Sequence, residues 1–382
     1  MKNSPKVSIS GELLKWARTT RFSRDLEEAS KKLKVTKEQI ISWESQGANM
    51  TASEIRKLSK VYKRSATVFL LKTVPKSQEP PKFRRFSLED VMLSKETLMA
   101  MRKAQETQIA TIELLGDIDN LLLNTLSNLK PDASVIANKA IASLGVTNEL
   151  RFSSKNIKEQ LQKWKRLLET KNIMVLEHSF PMIDARAFAI YNKSIPVIIL
   201  NGRDTDNGKV FSLFHELGHL VLKQSELDVE MTLDYSKTFT DELFCNQVSA
   251  NILVPNEMLK QATTPNNYYG ESQVKELAKK FKVSTSVIWR KLYDNKLISI
   301  AQYNKIRSKL STFESYMVEK SKKKFGANRN THLYKKIKNM GELYIGATLE
   351  AFNTNRISHY EVLDYLGIQS VALPRLQRLL FV

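Results

Sequence analysis

The sequence predicts a mainly α-helical α+β protein in which a small β-sheet lies between helical segments. Apolar residues recur at spacings of three and four through most of the 382-residue chain, and short β-rich runs occur between residues 173 and 200. Three prolines within residues 75–81 interrupt the helical pattern. We therefore expect four parts: an all-α domain at 1–74, a linker and helical connector at 75–150, a mixed domain at 151–300 and a helical region at 301–382.

The composition excludes several classes of protein. Hydrophobic residues make up 42% and charged residues 26%, which is ordinary globular usage and argues against wholesale disorder. The single cysteine, Cys245, excludes an internal disulfide and a cysteine metal cluster. No apolar run approaches the roughly 18 residues that cross a bilayer, and the amino-terminal residues lack an apolar signal core. We therefore expect a cytoplasmic protein without a membrane partner.

The chain is strongly basic, with 60 Lys and Arg against 40 Asp and Glu and a net charge of +20. Residues 1–75 hold 16 Lys and Arg against 7 Asp and Glu, so the excess is concentrated at the amino-terminal end. Such a charge attracts nucleic acid, anionic membranes or acidic proteins without choosing among them. One basic run is either a nucleic-acid contact or, more commonly, a solvated helix face: Lys320, Lys322, Lys323, Lys324, Lys335, Lys336 and Lys338.

The elements follow in order along the chain. Four or five short helices are predicted to end near Leu71, with Ser23 and Thr36 at N-cap positions. Helical stretches follow at about 94–129 and 134–144, then an amphipathic helix at 156–171. Three apolar runs are predicted strands: Ile173–Leu176, Ala185–Tyr191 and Ile195–Leu200. Further helices are predicted over Val210–Lys223, Lys237–Leu253, Asn256–Ala262, Glu271–Phe281 and Ser284–Asp294, with a helical remainder.

The strongest chemical signal is the sequence His215-Glu216-Leu217-Gly218-His219. Histidines four residues apart lie on one face of a helix and are able to bind one metal ion. Glu216 lies beside them as the candidate general base, which takes a proton from the attacking water. Gly218 in a helix interior indicates a close backbone approach. The alternative is a buried helix whose histidines are satisfied by ordinary hydrogen bonds.

A third ligand is required because catalytic zinc keeps three protein ligands and one open position. No histidine follows within the next hundred residues, so we expect a carboxylate. Glu242 is favoured because it opens a second apolar helix that holds it rigidly, and Asp241 is the alternative. His178, after a predicted strand, is expected to be a partly exposed loop histidine. Four further carboxylates fall in a polar loop that fixes them poorly: Glu226, Asp228, Glu230 and Asp234.

Residues 211–219 and 242–255 resemble the ImmA/IrrE family of metallopeptidases. The resemblance places Glu242 on the family's glutamate ligand, Asn246 on its asparagine and Pro255 on its closing proline. It extends over about residues 155–300 and implies a zincin-like peptidase domain with a Zn²⁺ cofactor and Glu216 as general base. The chain departs from the family pattern at three packing positions: Cys245, Val248 and Ser249.

Residues 23–46 resemble the Cro/repressor-type helix-turn-helix of the XRE class, with Ala29, Leu33, Val35 and Ile40 as its apolar contacts. In such domains the second helix enters the major groove of DNA and neighbouring cations hold phosphates. The alternative is a module that binds protein or forms a homodimer. Residues 274–288 share the outline of this motif, or are simply packed short helices. The predicted DNA contacts are Thr36, Lys37, Glu38 and Ser42 at the bases, with Arg24 and Lys57 at phosphates.

The favoured function is therefore a zinc-dependent endopeptidase fused to a DNA-binding module. The family resemblance implies a DNA-binding repressor as the protein substrate, in phage, mobile-element or stress regulation. The alternative is a transcriptional regulator or toxin–antitoxin component whose zinc domain senses or docks a partner without turnover. Glu216 favours the enzyme, because a purely structural metal site needs no general base.

Overall fold

The computed structural model describes residues 6–22, 26–62, 69, 93–116, 118–222, 235–263, 269–306 and 331–380. Some predicted features lie outside these residues, namely Ser23, Arg24, the proline-rich linker, the loop carboxylates 226–234 and the basic residues 320–324. Contacts divide the chain into two units, Met1–Arg102 and Lys103–Val382.

The first unit combines helices with two short strands. Its elements are β1 (Lys6–Ile9), α1 (Gly11–Phe22), α2 (Leu26–Leu33), α3 (Lys37–Gln46), β2 (Ala48–Thr51) and α4 (Ala52–Tyr62). The strands pair antiparallel, with Lys6 opposite Thr51 and Ile9 opposite Ala48. The prediction of an all-α domain is therefore wrong. Each strand alternates polar and apolar residues over only four positions, the shortest run that indicates a strand, and pairs with a segment distant in sequence.

The core of this unit lies between the four helices and the strand pair. Ile9 and Met50 contribute one residue each from β1 and β2. A buried ion pair between Nη2 of Arg18 and Oε2 of Glu44, 2.9 Å apart, joins α1 to α3. The predicted apolar contacts of the helix-turn-helix lie in or against this core: Ala29, Leu33, Val35 and Ile40.

The second unit begins within α5 (Lys95–Leu115) and continues with α6 (Leu121–Ser127), α7 (Ala133–Ser143), α8 (Asn148–Phe152) and α9 (Ile157–Glu169). The predicted helical stretch at 94–129 is thus two helices rather than one. Gly116 ends the first of them with a φ of +82°, a conformation that glycine adopts without steric cost. Asn120 begins the second, because its side-chain oxygen accepts from the backbone N–H of Leu123 at 3.0 Å.

A three-stranded sheet forms the centre of this unit, with β3 (Met174–His178), β4 (Ala187–Ile190) and β5 (Val197–Asn201) close to the predicted runs. The strand order is β3-β5-β4, in which β3 runs parallel and β4 antiparallel to β5. Every residue of β3 and β5 is buried, as expected for strands covered on both faces.

Helices cover the sheet and complete the unit. They are α10 (Asp206–Val221), α11 (Tyr235–Leu253), α12 (Asn256–Ala262), α13 (Glu271–Phe281) and α14 (Thr285–Asp294), then α15 (Thr331–Met340), α16 (Glu342–Asn353), α17 (His359–Leu366) and α18 (Leu373–Leu380). Residues 300–306 are also helical. α10 packs against α11, β4 and β5, which places the His215-to-His219 motif between the sheet and a second helix. Among the described helices, none has the length and apolar character needed to span a bilayer.

Candidate metal centre

The two motif histidines lie one turn apart on α10. This helix begins at a capped terminus, where Oγ1 of Thr205 accepts from the backbone N–H of Gly208 at 3.1 Å. Its apolar residues are buried against the sheet and α11, which fixes the remaining face toward the site. The imidazole rings of His215 and His219 are 4.8 Å apart, and their Nε2 atoms approach to 3.1 Å.

Glu242 reaches both histidines from α11. Its Oε2 lies 3.3 Å from Nε2 of His215, and its Oε1 lies 3.3 Å from Nε2 of His219. Each of the three residues offers one ligand atom, and these atoms all lie within 4.8 Å of one another. In the part of the chain that the structure describes, Asp241 does not join this group.

Gly218 and Cys245 set the close approach of the two helices. A Cβ atom added at Gly218 would lie 3.0 Å from both Cα and Sγ of Cys245, closer than side chains normally pack. The hydroxyl of Ser249 donates to the backbone oxygen of Phe211 at 2.8 Å, which joins the same helices further along. The close approach predicted from Gly218 is confirmed, and Cys245 is a buried packing residue.

Asn246 orients the first histidine. Its Oδ1 lies 3.0 Å from Nδ1 of His215. An amide oxygen accepts hydrogen bonds and does not donate them, so Nδ1 carries a proton and Nε2 is the ring nitrogen that faces Glu242. The sequence placed Asn246 on the family asparagine without giving it a role. Its position one turn after Glu242, on the same helix face, is the signal that could have assigned one.

The donor set fits a divalent metal ion. Two imidazole nitrogens and one carboxylate are the ligands that catalytic zinc takes from proteins, with a further position left for water or substrate. The partner of Nδ1 on His215 is the kind of outer hydrogen bond that fixes a metal-binding imidazole.

Residues 168–293 match the Peptidase_M78 family. That family is described as an IrrE N-terminal-like domain, and the matched residues include α10 and α11 with the whole His215, His219 and Glu242 group. The match supports the ImmA/IrrE resemblance and a metallopeptidase-type function for this segment. No curated protein matches the chain. The amino-terminal residues lie outside the match.

The charges of the Peptidase_M78 segment are coupled at this site. Glu216 is 8% exposed, and burial raises its pKa above the ordinary value although His219 and His215 oppose the shift. Burial would also raise the pKa of Glu242, but its hydrogen bonds to His215 and His219 hold that pKa far below the usual range. Burial would lower the pKa of His215, but Glu242 and Glu216 raise it overall. Glu216 is thus the carboxylate better suited to hold a proton.

The predicted DNA contacts lie in the first unit, which the Peptidase_M78 match does not include. Thr36 caps α3, its Oγ1 accepting from the backbone N–H of Gln39 at 3.2 Å. Lys37, Glu38 and Ser42 are exposed on α3, and Lys57 is exposed on α4. Nζ of Lys37 lies 3.5 Å from a carboxylate oxygen of Glu27. Arg24 lies outside the described residues.

Proposed function

We propose that the Peptidase_M78 segment belongs to a zinc-dependent endopeptidase that hydrolyses a regulatory protein, specifically a DNA-binding transcriptional repressor. The observation that carries the proposal is the convergence of His215, His219 and Glu242, with the buried carboxylate of Glu216 on the next residue of α10. Electrostatic coupling of Glu216 to both histidines supports its place at the same site.

The chain's own groups have separate roles in this reaction. His215, His219 and Glu242 would hold the ion, and Asn246 keeps the Nε2 lone pair of His215 available. A bound zinc ion supplies Lewis acidity, which lowers the pKa of water and polarises the scissile carbonyl. The carboxylate of Glu216 takes the proton from the attacking water and delivers it to the leaving nitrogen. A raised pKa suits this residue to carry the proton between the two steps.

The test combines metal content with turnover. We expect about one zinc per chain in the purified protein, as a three-ligand site implies, and loss of zinc in His215→Ala, His219→Ala and Glu242→Ala. Glu216→Gln should retain zinc, because Glu216 is not a ligand. Co-expression with a candidate repressor, chosen from the genes beside this one, should shorten that repressor with the wild type and leave it intact with Glu216→Gln.

Two outcomes would contradict the assignment. Zinc retained in all three ligand variants would refute the metal site, and cleavage unchanged in Glu216→Gln would refute the general base. A protein that binds zinc and cleaves no partner would instead favour the regulator or toxin–antitoxin component, in which the zinc domain docks a partner without turnover.

We further propose that residues 23–46 bind double-stranded DNA. This is supported by the exposed polar face of α3 and by the concentration of positive charge in residues 1–75. Protein binding or homodimer formation by the same module is the competing outcome.

A further inference from the structure

One face of α10 is open to solvent at the candidate metal centre. Between Lys209 and Val221, three residues of this helix are not buried, namely Phe211, His215 and His219. Their spacing of four places them in one row along the helix. The side chains of His215 and His219 are 16% and 15% exposed. A molecule bound at the two histidines therefore lies next to Phe211.

This exposure distinguishes the histidines of α10 from His178. That residue is 9% exposed, because it is the last residue of the buried strand β3. The expectation of a partly exposed loop histidine is therefore wrong. Nε2 of His178 is also buried, so a ligand that approaches from solvent does not reach it. The row on α10 is accessible to such a ligand.

Phe211 is an aromatic side chain that the core does not fully enclose. It packs against the core of the second unit and remains partly exposed. Its ring centre lies 6.3 Å from that of the His215 imidazole, with the two planes tilted by 32°. Its backbone oxygen accepts the hydrogen bond from Ser249, which holds this turn of α10 against α11. A partly exposed ring beside a binding centre gains from contact with an apolar group of the ligand.

Two small residues of β4 lie on the side of the sheet that α10 covers. Ala187 pairs with Leu200 and Ala189 pairs with Ile198 on β5. Leu200 and Ile198 belong to the core that α10 also enters, and both alanines pack against this core while remaining partly exposed. Their methyl groups are short and uncharged. This strand therefore leaves an apolar surface with room beside α10.

We propose that Phe211, together with Ala187 and Ala189, forms an apolar subsite that selects the substrate residue next to the scissile bond. The residue that it accepts has a large apolar side chain, such as that of leucine or phenylalanine. A charged side chain would lose its hydration there without gaining a partner from these three residues. The inference rests on the proposed peptidase function, and within it Phe211 determines specificity and takes no part in proton transfer.

The test measures the binding of zinc-directed probes to the full-length protein loaded with zinc. One series contains the N-acetyl hydroxamates of glycine, leucine, phenylalanine and aspartate, and the other contains the mercaptoacetyl amides of the same amino acids. The two series place the side chain on opposite sides of the metal-binding group. In at least one series, we expect the leucine and phenylalanine probes to bind roughly tenfold or more tightly than the glycine probe, as an apolar pocket discriminates. The aspartate probe should bind no more tightly than glycine.

Variants of Phe211 separate specificity from a structural effect. Phe211→Ala should remove most of the preference for leucine over glycine, while the zinc content and the affinity for the glycine probe stay unchanged. Phe211→Leu should restore part of the preference, because it restores an apolar side chain. Phe352→Ala removes another partly exposed phenylalanine, on α16, and should leave all affinities unchanged. A general disturbance of α10 would instead weaken the glycine probe as well.

A second readout covers a Phe211→Ala variant that fails to fold. In the wild type, the methyl groups of the bound leucine probe should give nuclear Overhauser contacts to the phenylalanine ring protons that are absent in Phe211→Leu. The subsite is overturned if neither series shows the preference, if the preference survives in Phe211→Ala, or if those contacts are missing. Failure of the metal centre is distinguishable, because then neither zinc nor the glycine probes bind, and both proposals fall.

Discussion

Asn246 holds Nδ1 of His215, so that Nε2 is the nitrogen that faces His219 and Glu242. Loss of an outer hydrogen bond of this kind typically costs 10–100-fold in metal affinity. We therefore expect Asn246→Leu to weaken zinc binding by about 10–100-fold and Asn246→Asp, which still accepts from Nδ1, to retain most of it. Competition with a chromophoric chelator measures the affinity. Gln247→Leu removes the neighbouring exposed amide and should have no effect, and equal losses in both leucine variants would contradict an orienting role.

Glu177 is the residue on which three lysines of the second unit converge. Its Oε1 lies 3.0 Å from Nζ of Lys165, and its Oε2 lies 3.3 Å from Nζ of Lys209 and 3.5 Å from Nζ of Lys338. Burial would raise the pKa of Glu177, but these lysines lower it to about 2. Because the folded pKa is lower than the unfolded one, the stabilisation is complete above about pH 5 and is lost as the pH falls toward 2.

We expect Glu177→Gln to lower the free energy of unfolding by about 3–5 kcal/mol at pH 7, because it removes the nearest counter-charge of the buried ammonium groups of Lys165 and Lys209. The difference between wild type and variant should narrow at pH 3, where the Glu177 carboxylate is protonated in the unfolded chain but still ionised in the folded protein. Urea denaturation at pH 7, 5 and 3 measures both effects. Glu350→Gln changes an exposed glutamate of α16 and should cost less than about 0.5 kcal/mol, and a pH-independent difference for Glu177→Gln would contradict the ion-pair account.

Helices α10 and α11 bring the candidate metal ligands together at a short separation, and Gly218 lies where the two helices approach most closely to Cys245. Alanine is favoured over glycine by about 1 kcal/mol within a helix, but its Cβ would meet the backbone of Cys245 at 3.0 Å. We expect the clash with Cys245 to outweigh the gain in helix propensity. Gly218→Ala should therefore lower both the melting temperature and the zinc affinity. Gly346→Ala on α16 has open space around the added Cβ and should be neutral or stabilising. Thermal melts with and without a chelator separate the effect on folding from the effect on zinc binding. A stabilised Gly218→Ala would show that the helices are able to move apart.

The sequence predicted the helices whose ends are marked by nearby residues. The bounds of α12 and α13 agree with the prediction, because Pro255, Gly270 and the apolar spacing mark them directly. The strands β1 and β2 were missed because their pairing is set by tertiary contact. At the site, the histidine spacing nominated two ligands, and packing arguments favoured Glu242. The role of Asn246 and the burial of His178 depend on which helices and strands pack together. The spacing of residues along the chain does not predict that packing.

The two helix-turn-helix patterns share one turn geometry. Lys34 and Lys282 both adopt a φ of +54° after the first helix, and Thr36 and Ser284 both cap the second. They differ in exposure, because Ile288, Trp289 and Leu292 bury much of α14 while α3 keeps an exposed polar face. The second helix of the pattern is therefore packed in the second unit (α14), whereas in the first unit (α3) it has an exposed polar face.

The net charge of +20 belongs to the whole molecule and attracts any polyanion, so a specific DNA contact must be separated from a general one. For a phosphate contact, we expect Lys57→Ala to weaken binding about equally on all duplexes and to reduce the slope of log affinity against log salt by about 1. For a base contact, Lys37→Ala should instead reduce discrimination between promoter and unrelated duplex. Gel shifts across a salt series measure both.

Lys260→Ala removes an exposed lysine of the second unit and provides the matched control for total charge. Each lysine variant lowers the net charge by the same amount, so a purely delocalised attraction predicts equal losses of affinity in all three. A local interface at α3 and α4 predicts losses in Lys37→Ala and Lys57→Ala alone. Equal losses in all three variants would contradict a local DNA interface at α3 and α4, and binding with no salt dependence would contradict phosphate contacts there, because a surface that holds phosphates releases counterions.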